Sequence, residues 1–125
     1  MVIKIDFNSD EALYMQLRNQ IIVGIATAQI QEGESLPSVR QLADTVGINM
    51  HTVNKAYTLL KQEGFITTDR RGGTVVTGSP ESGELGAHSR EGLRLIAAEA
   101  RLSGISEDDF LTLCRELYRE GGGEK

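Results

Sequence analysis

Residues 36–64 read LPSVRQLADTVGINMHTVNKAYTLLKQEG, a stretch that predicts two short helices joined by a tight turn. The first helix is predicted to begin after Ser38, because Gln41 three residues later completes the S-x-x-Q pattern of a capping box. Gly47 is expected to end this helix, since glycine readily takes the left-handed conformation found after a helix. Asn49 is a good N-cap for the second helix. Two helices arranged in this way are typical of a helix-turn-helix.

Both helices carry apolar residues at helical spacing, which gives each one a face to bury. These residues are Val39, Leu42, Ala43 and Val46 on the first helix and Val53, Ala56, Tyr57 and Leu60 on the second. The opposite face of the second helix carries Met50, His51, Asn54, Lys55 and Thr58. In the major groove of DNA, asparagine can read adenine and lysine can meet guanine or phosphate. The alternative is a small helical domain whose polar face only contacts solvent.

A β-hairpin is predicted directly after the second helix. Gly64 ends that helix, and the strand-forming runs FITT (65–68) and TVVT (74–77) flank the turn sequence DRRGG. A hairpin in this position is a wing, and Arg70 and Arg71 lie at or beside its tip. Arginines at a wing tip can hold phosphates or enter a minor groove. The alternative is a hairpin with two solvated arginines.

These motifs, with LYMQLRNQI upstream, resemble the N-terminal domain of GntR-type bacterial transcription regulators. The resemblance covers about residues 13–76, with the motifs in the order and spacing of the family. It implies a winged helix-turn-helix that binds a palindromic DNA operator as a dimer. The DNA-contacting positions that it implies are Ser38, Arg40, Asn49, His51, Thr52, Asn54, Lys55 and the wing glycine Gly73. Arg70 and Arg71 of the hairpin complete the predicted DNA-binding set.

The sequence departs from the family pattern at several positions. Ala12 and Ala28 stand where the family often has proline and glycine, respectively. Met50 stands where several subfamilies carry arginine, and residues 71–73 read RGG where the family usually has G-x-G. At these positions the contacts of the family cannot be carried over directly.

The formal net charge of −5 is distributed unevenly along the 125 residues. Residues 1–78 hold seven Lys/Arg and eight Asp/Glu, whereas residues 79–125 hold six and ten. Between residues 38 and 73, five basic residues stand against three acidic ones. DNA binding requires a basic surface and does not require a basic protein, so the acidic total is compatible with a DNA partner.

Several classes of protein are disfavoured by what the sequence lacks. An apolar run of about 18 residues and a signal-like N-terminus are absent, which predicts a cytoplasmic protein without a membrane partner. Cys114 is the single cysteine, and His51 and His88 lie far apart, so neither a metal nor a cofactor is expected. No catalytic constellation or phosphate-binding loop is visible, so an enzyme is not expected. A winged-helix module that binds a protein instead of DNA remains the alternative.

The composition of residues 78–88, GSPESGELGAH, is that of a linker. It separates a winged helix-turn-helix domain (1–77) from a two-helix region (89–120) and a flexible tail (121–125). Ser106 is expected to cap the second of these helices. The predicted fold class is mainly α with a small β-hairpin.

Each helix of the C-terminal region carries an apolar stripe. The stripes contain Leu93, Ile96, Ala97 and Ala100 on the first helix and Phe110, Leu113, Cys114, Leu117 and Tyr118 on the second. A pair of helices of this size cannot enclose a core alone. The stripe residues other than Cys114 therefore predict a homodimer interface with two-fold symmetry. The role of Cys114 stays open. The alternative is that the pair folds back on its own winged helix. The short region resembles the YtrA-type subgroup, and a small effector of unknown identity could lodge in the dimer groove or between the helix pair and the winged helix.

The N-terminal residues are expected to complete the core of the first domain. Residues 2–7, VIKIDF, predict a strand or an extended arm. Ser9 or Asp10 is expected to cap a helix that reaches about Gln29, because apolar residues recur at helical spacing from Leu13 onwards.

Overall fold

The computed structural model describes residues 2–77 and 83–122, which form five helices and a three-stranded antiparallel sheet. The helices are α1 (Leu13–Ala26), α2 (Val39–Val46), α3 (Met50–Glu63), α4 (Ala87–Leu102) and α5 (Glu107–Gly122), and the strands are β1 (Ser35–Leu36), β2 (Ile66–Thr68) and β3 (Thr74–Val76). The chain divides into two compact units, which we call the winged-helix unit (residues 2–77) and the helix-pair unit (residues 83–122). Residues 78–82 of the predicted linker and 123–125 of the predicted tail lie outside the described residues. Among the described helices, none is both long and apolar enough to span a membrane.

The two helices of the helix-turn-helix begin and end where the sequence predicts. The Ser38 hydroxyl accepts a hydrogen bond from the Gln41 N–H at 3.1 Å, and the Gln41 carboxamide accepts one from the Ser38 N–H at 3.0 Å. Gly47 ends α2 with a φ of 82°. Asn49 caps α3 by accepting a hydrogen bond from the His51 N–H at 2.7 Å. Such a cap is worth about 1 kcal/mol, so purely local contacts fix both helix starts.

Helices α1, α2 and α3 pack their apolar faces around one core, which the sheet closes on one side. Its buried residues are Leu17, Ile21, Ile30, Leu36, Leu42, Ala43, Val53, Ala56, Tyr57, Leu60, Ile66 and Val76. The hydroxyl of Tyr57 donates to the carbonyl oxygen of Pro37 at 2.7 Å. Burial raises the pKa of Tyr57 to about 12, because the phenolate would lose its hydration in this core.

The sheet has the order β1-β3-β2, so β3 lies in the middle. The predicted hairpin is confirmed, with Ile66 of β2 opposite Val76 of β3. On the other side of β3, Leu36 of β1 lies opposite Thr74. Strand β1 was not predicted, because two residues carry no measurable periodicity. The pairing of β1 with β3 joins the segment before α2 to the wing.

Residues 2–6 form an extended arm along α1 and take no part in the sheet, whereas Phe7, which was predicted to continue the arm, lies in a turn. The Lys4 N–H donates to the Gln20 carboxamide oxygen at 2.9 Å, and the Gln20 amide donates back to the Lys4 carbonyl. Two residues further on, Asp6 makes the same pair of bonds with Gln16, at 2.9 and 3.0 Å. Because Gln16 and Gln20 lie one helical turn apart, they bind alternate residues of the arm much as a neighbouring strand would.

Helix α1 starts later than predicted. The prediction placed its cap at Ser9 or Asp10, but the first helical residue is Leu13. The Ser9 hydroxyl instead accepts a hydrogen bond from the Glu11 N–H at 3.0 Å, which closes a local turn before the helix.

Helix α1 also ends earlier than predicted, at Ala26 instead of about Gln29. Ala28 adopts a φ of 64°, a left-handed conformation that ends the helix and that favours glycine. The Ile30 N–H then donates to the Gly24 carbonyl at 3.0 Å, and the Ile30 side chain packs where a Cβ on Gly24 would clash. The left-handed backbone accounts for the glycine that the family often has at the position of Ala28.

The helix-pair unit differs from prediction at its two outer ends. Helix α4 begins at Ala87, two residues before the predicted two-helix region (89–120) and inside the segment predicted as linker. Alanine is the strongest helix former, so it extends the helix readily. Gly104 separates the helices with a φ of 82°, and the Ser106 hydroxyl caps α5 by accepting from the Asp109 N–H at 3.1 Å. Helix α5 continues over residues 121–122, the first two of the predicted tail.

Candidate nucleic-acid interface

Helix α3 exposes four side chains in its first two turns, Met50, His51, Asn54 and Lys55, which we call the reading face. Three of them, His51, Asn54 and Lys55, belong to the predicted DNA-binding set. Thr52, also predicted, is half-buried. The reading face therefore offers an amide, an imidazole, an ammonium and a thioether to a ligand.

The predicted contact residues Ser38 and Asn49 are exposed but already use an oxygen to cap α2 and α3, respectively. The Ser38 hydroxyl keeps its hydrogen and the Asn49 amide keeps its NH₂ group, so both can still donate to a phosphate oxygen. Arg40 lies in the first turn of α2 and is exposed. The amino-terminal ends of α2 and α3 thus present hydrogen-bond donors and a guanidinium.

The wing tip is organised by Asp69, a residue that the sequence analysis did not single out. Its Oδ1 atom accepts hydrogen bonds from the N–H groups of Arg71 and Gly73, at 2.9 and 2.8 Å. Gly72 takes the left-handed conformation, with a φ of 84°. A Cβ on Gly73 would lie 3.3 Å from Asp69 Oδ2, so the turn needs both glycines for different reasons. An aspartate at the start of a Gly-containing turn is the signal that could have identified it. Arg70 and Arg71 are exposed on this turn.

Helix α1 flanks the reading face through Tyr14. The Lys55 ammonium nitrogen lies 4.2 Å from the centroid of the Tyr14 ring. This cation–π contact is worth about 0.5–1 kcal/mol at an exposed site, and it biases Lys55 towards α1. The two residues are far apart in the sequence, so no motif could have predicted their contact.

A second contact between α1 and α3 affects the charge of the surface. The Arg18 guanidinium forms two hydrogen bonds with the Glu63 carboxylate, at 3.0 and 2.7 Å. Glu63 is one of the three acidic residues between residues 38 and 73. Because Arg18 neutralises it, the segment is more basic in the folded protein than the sequence count indicates.

In the helix-pair unit, the predicted dimerisation residues have different exposures. Ala100 is buried within the pair and Phe110 is half-buried, whereas the exposed ones are Leu93, Ile96, Ala97, Leu113, Leu117 and Tyr118. Five further apolar side chains of the unit are exposed and were not predicted, namely Leu85, Leu95, Leu102, Ile105 and Leu111. The helix-pair unit therefore leaves much of its apolar surface uncovered by its own residues.

The family model of "Bacterial regulatory proteins, gntR family" matches residues 10–76, which is the winged-helix unit without its arm. The chain belongs to the GntR family. It is therefore a DNA-binding transcriptional regulator, as the resemblance implied.

Relatives place this GntR protein with the YtrA-like members of the family. The HTH-type transcriptional repressor YtrA of Bacillus subtilis (strain 168) is 29% identical over 128 residues, covering 99% of this chain and 98% of the relative. The structure of YtrA from Sulfolobus acidocaldarius is 40% identical, covers 82% of this chain and 99% of that chain, and superposes with a TM-score of 0.65.

A third comparison concerns the winged-helix unit of the GntR protein. The structure of AraR(DBD) in complex with operator ORX1 covers 62% of this chain and 99% of that chain, with a TM-score of 0.52. At 23% identity, this likeness shows that the fold is shared.

Proposed function

We propose that this GntR protein represses transcription by binding an inverted-repeat operator as a homodimer in the cytoplasm, without catalysing a reaction. The observation that carries the proposal is the combination of the exposed reading face with exposed arginines in the first turn of α2 (Arg40) and on the wing turn (Arg70 and Arg71). In a winged helix, this arrangement lets α3 enter the major groove while the flanking arginines bind the backbone or a minor groove.

The proposed contacts divide into two groups by their chemistry. Asn54 and Arg40 have the side chains that read adenine and guanine edges through paired hydrogen bonds. Ser38, Asn49, Lys55 and the wing residues Arg70, Arg71 and Gly73 suit phosphate oxygens, while His51 and Thr52 can donate to either. The first group would set the operator sequence and the second would set the affinity.

The helix-pair unit supports the homodimer. Its leucines, isoleucines and tyrosine are exposed on two short helices, and exposed apolar side chains concentrated in this way are typical of a protein–protein interface. A second copy covers the same stripes with the same residues, which gives two-fold symmetry. Two reading faces related by that symmetry require two half-sites in inverted orientation. The repressor role is supported by the similarity to the Bacillus subtilis transcriptional repressor YtrA.

Repression requires only that the bound dimer block a promoter. A small effector would act by shifting the population between dimers with different half-site spacing. The groove between α4 and α5, with a volume of about 450 Å³, has Arg101 and Glu107 beside an apolar floor and is a place where such a molecule could bind.

Selection of bound duplexes from a random DNA pool, at two salt concentrations, tests the proposal. We expect enrichment of an inverted repeat, with weaker binding at the higher salt concentration because phosphate contacts release counterions. Arg40→Ala should weaken binding to the selected operator by about 1–3 kcal/mol. The matched control is Arg94→Ala, which removes the same charge from an exposed site on α4.

If no sequence is enriched and Arg40→Ala behaves like Arg94→Ala, operator binding is refuted and a protein partner becomes the better hypothesis. Equal loss on the operator and on random DNA would instead assign Arg40 to a phosphate. An enriched single half-site without its inverted copy would contradict the homodimer.

A further inference from the structure

Met50 is the large apolar side chain that the reading face leaves exposed, with 43% of its surface accessible. Elsewhere on α3, the residues Val53, Ala56, Tyr57 and Leu60 are buried in the core. Met50 is the first helical residue after the Asn49 cap, so it lies at the end of α3 that comes nearest the bases in a helix-turn-helix. Met50 is not among the described residues that form the core or pack against it as half-buried side chains.

The position of Met50 relative to Asn54 narrows what it can contact. The two residues are four apart and therefore lie on the same side of α3, about 6 Å apart along the helix axis. If Asn54 reads an adenine edge, Met50 faces a neighbouring base pair of the same half-site. Its thioether has no hydrogen to donate and is only a weak acceptor. It therefore cannot make the paired hydrogen bonds by which arginine reads guanine or asparagine reads adenine.

Among the base edges in the major groove, thymine alone presents an apolar group, its C5-methyl. We propose that Met50 is a specificity-determining residue that packs against the C5-methyl group of one thymine in each half-site. This inference rests on the proposed operator binding and deepens it, because it assigns a base preference at a position where the sequence departs from the family's arginine. Methionine suits the contact, since its flexible and polarisable side chain adapts to a small apolar surface.

The size of the effect follows from the area involved. Burying one methyl group against an apolar side chain corresponds to about a three- to five-fold change in the dissociation constant. Replacing thymine by deoxyuridine removes this methyl group and leaves base pairing and the O4 acceptor intact. The comparison of thymine with deoxyuridine therefore isolates the proposed contact from hydrogen bonding.

The experiment starts from the operator obtained by selection with the wild-type protein. Each thymine of one half-site and its symmetry mate are replaced by deoxyuridine, and the dissociation constant is measured for wild type and Met50→Ala. We expect one thymine at which the replacement weakens wild-type binding by about three- to five-fold and leaves Met50→Ala binding unchanged. Met50→Leu should keep the sensitivity, and Met50→Gln, which has a similar length but a polar end, should lose it.

Two results would overturn the inference while operator binding stands. One is equal sensitivity of wild type and Met50→Ala to deoxyuridine at every thymine, and the other is a half-site without a sensitive thymine. Absence of any selected operator would refute the proposed function and the Met50 contact together. Because Met50 is exposed, Met50→Ala should unfold at the same temperature as wild type, and that measurement separates lost contact from lost fold.

Discussion

The two units of this protein use apolar residues in opposite ways. In the winged-helix unit, leucines, isoleucines and valines from three helices and the sheet meet in one buried cluster. In the helix-pair unit, Ala100 is the buried apolar residue among those described, while Leu102 is 88% exposed. The winged-helix unit buries its apolar side chains in its own core, whereas the helix-pair unit leaves most of its apolar stripes exposed. The difference is consistent with the proposal that the first unit binds DNA and that the second forms the homodimer.

The largest expected effect tests whether the helix-pair unit forms the homodimer interface. Leu117→Asp places a charge on the exposed stripe of α5 and should dissociate the proposed homodimer, because an unpaired charge in such an interface costs about 3–5 kcal/mol. Sedimentation velocity should show a dimer for wild type and a monomer for the variant. Thr112→Asp is the control, since it adds the same charge to the other side of α5 and should stay dimeric. A dimeric Leu117→Asp protein would place the interface elsewhere.

The next largest effect concerns the contribution of Tyr57, in the core of the winged-helix unit, to the stability of the protein. Its pKa is raised from 10.0 to about 12 in the folded protein, so the neutral form is favoured by folding. The raised pKa adds roughly 2 kcal/mol to the free energy of unfolding. This contribution is fully present below pH 10 and is lost as the pH rises towards 12.

Tyr57→Phe isolates this contribution. At pH 8 the variant should be less stable than wild type by about 1 kcal/mol, because it lacks the hydrogen bond to Pro37. Denaturant unfolding at several pH values should show that the difference shrinks and changes sign towards pH 12. Parallel pH profiles for the two proteins would mean that water reaches the phenol, and the core would not be closed as described.

A smaller effect concerns the outer surface of the winged-helix unit. Tyr14→Leu removes the ring that holds the Lys55 ammonium in place, and the lost preorganisation should weaken operator binding by at most about 0.5–1 kcal/mol. Tyr14→Phe keeps the ring and should bind like wild type in a fluorescence anisotropy titration. In a Lys55→Ala background, Tyr14→Leu should have no further effect. If Tyr14→Phe loses as much affinity as Tyr14→Leu, the hydroxyl and not the ring is responsible.

The smallest effect is a gain in stability within the same unit. Ala28→Gly relieves the left-handed backbone, and this gain exceeds the entropy that glycine adds to the unfolded chain, for a net stabilisation of about 0.5 kcal/mol. Ala26→Gly is the matched control, because the same substitution in a helical residue should destabilise the protein by up to about 1 kcal/mol. Urea unfolding of both variants measures the difference. Destabilisation by Ala28→Gly would show that its φ is not strained.

The local features of the fold could be predicted from the sequence. Ser38 and Gln41 specify the start of α2, and Gly47, Asn49 and Gly64 mark the end of α2 and both ends of α3, because each of these contacts joins residues at most a few positions apart. The wing hairpin followed from its turn residues in the same way. The winged helix and its family were therefore evident before any tertiary contact was known.

The features that the sequence did not determine depend on distant residues. The hydrogen bonds that hold the arm against α1 join residues separated by 16 and by 10 positions in the sequence. The hydrogen bonds between Arg18 and Glu63 join residues separated by 45 positions. Strand β1 exists because β3 pairs with it, and Lys55 lies against Tyr14 because α1 packs beside α3. The sequence by itself determined which segments become helices and which side chains have a chemistry suited to DNA, since helix caps, turns and side-chain chemistry are local. Only the tertiary structure decided which side chains are already engaged, because that depends on contacts made when the chain packs.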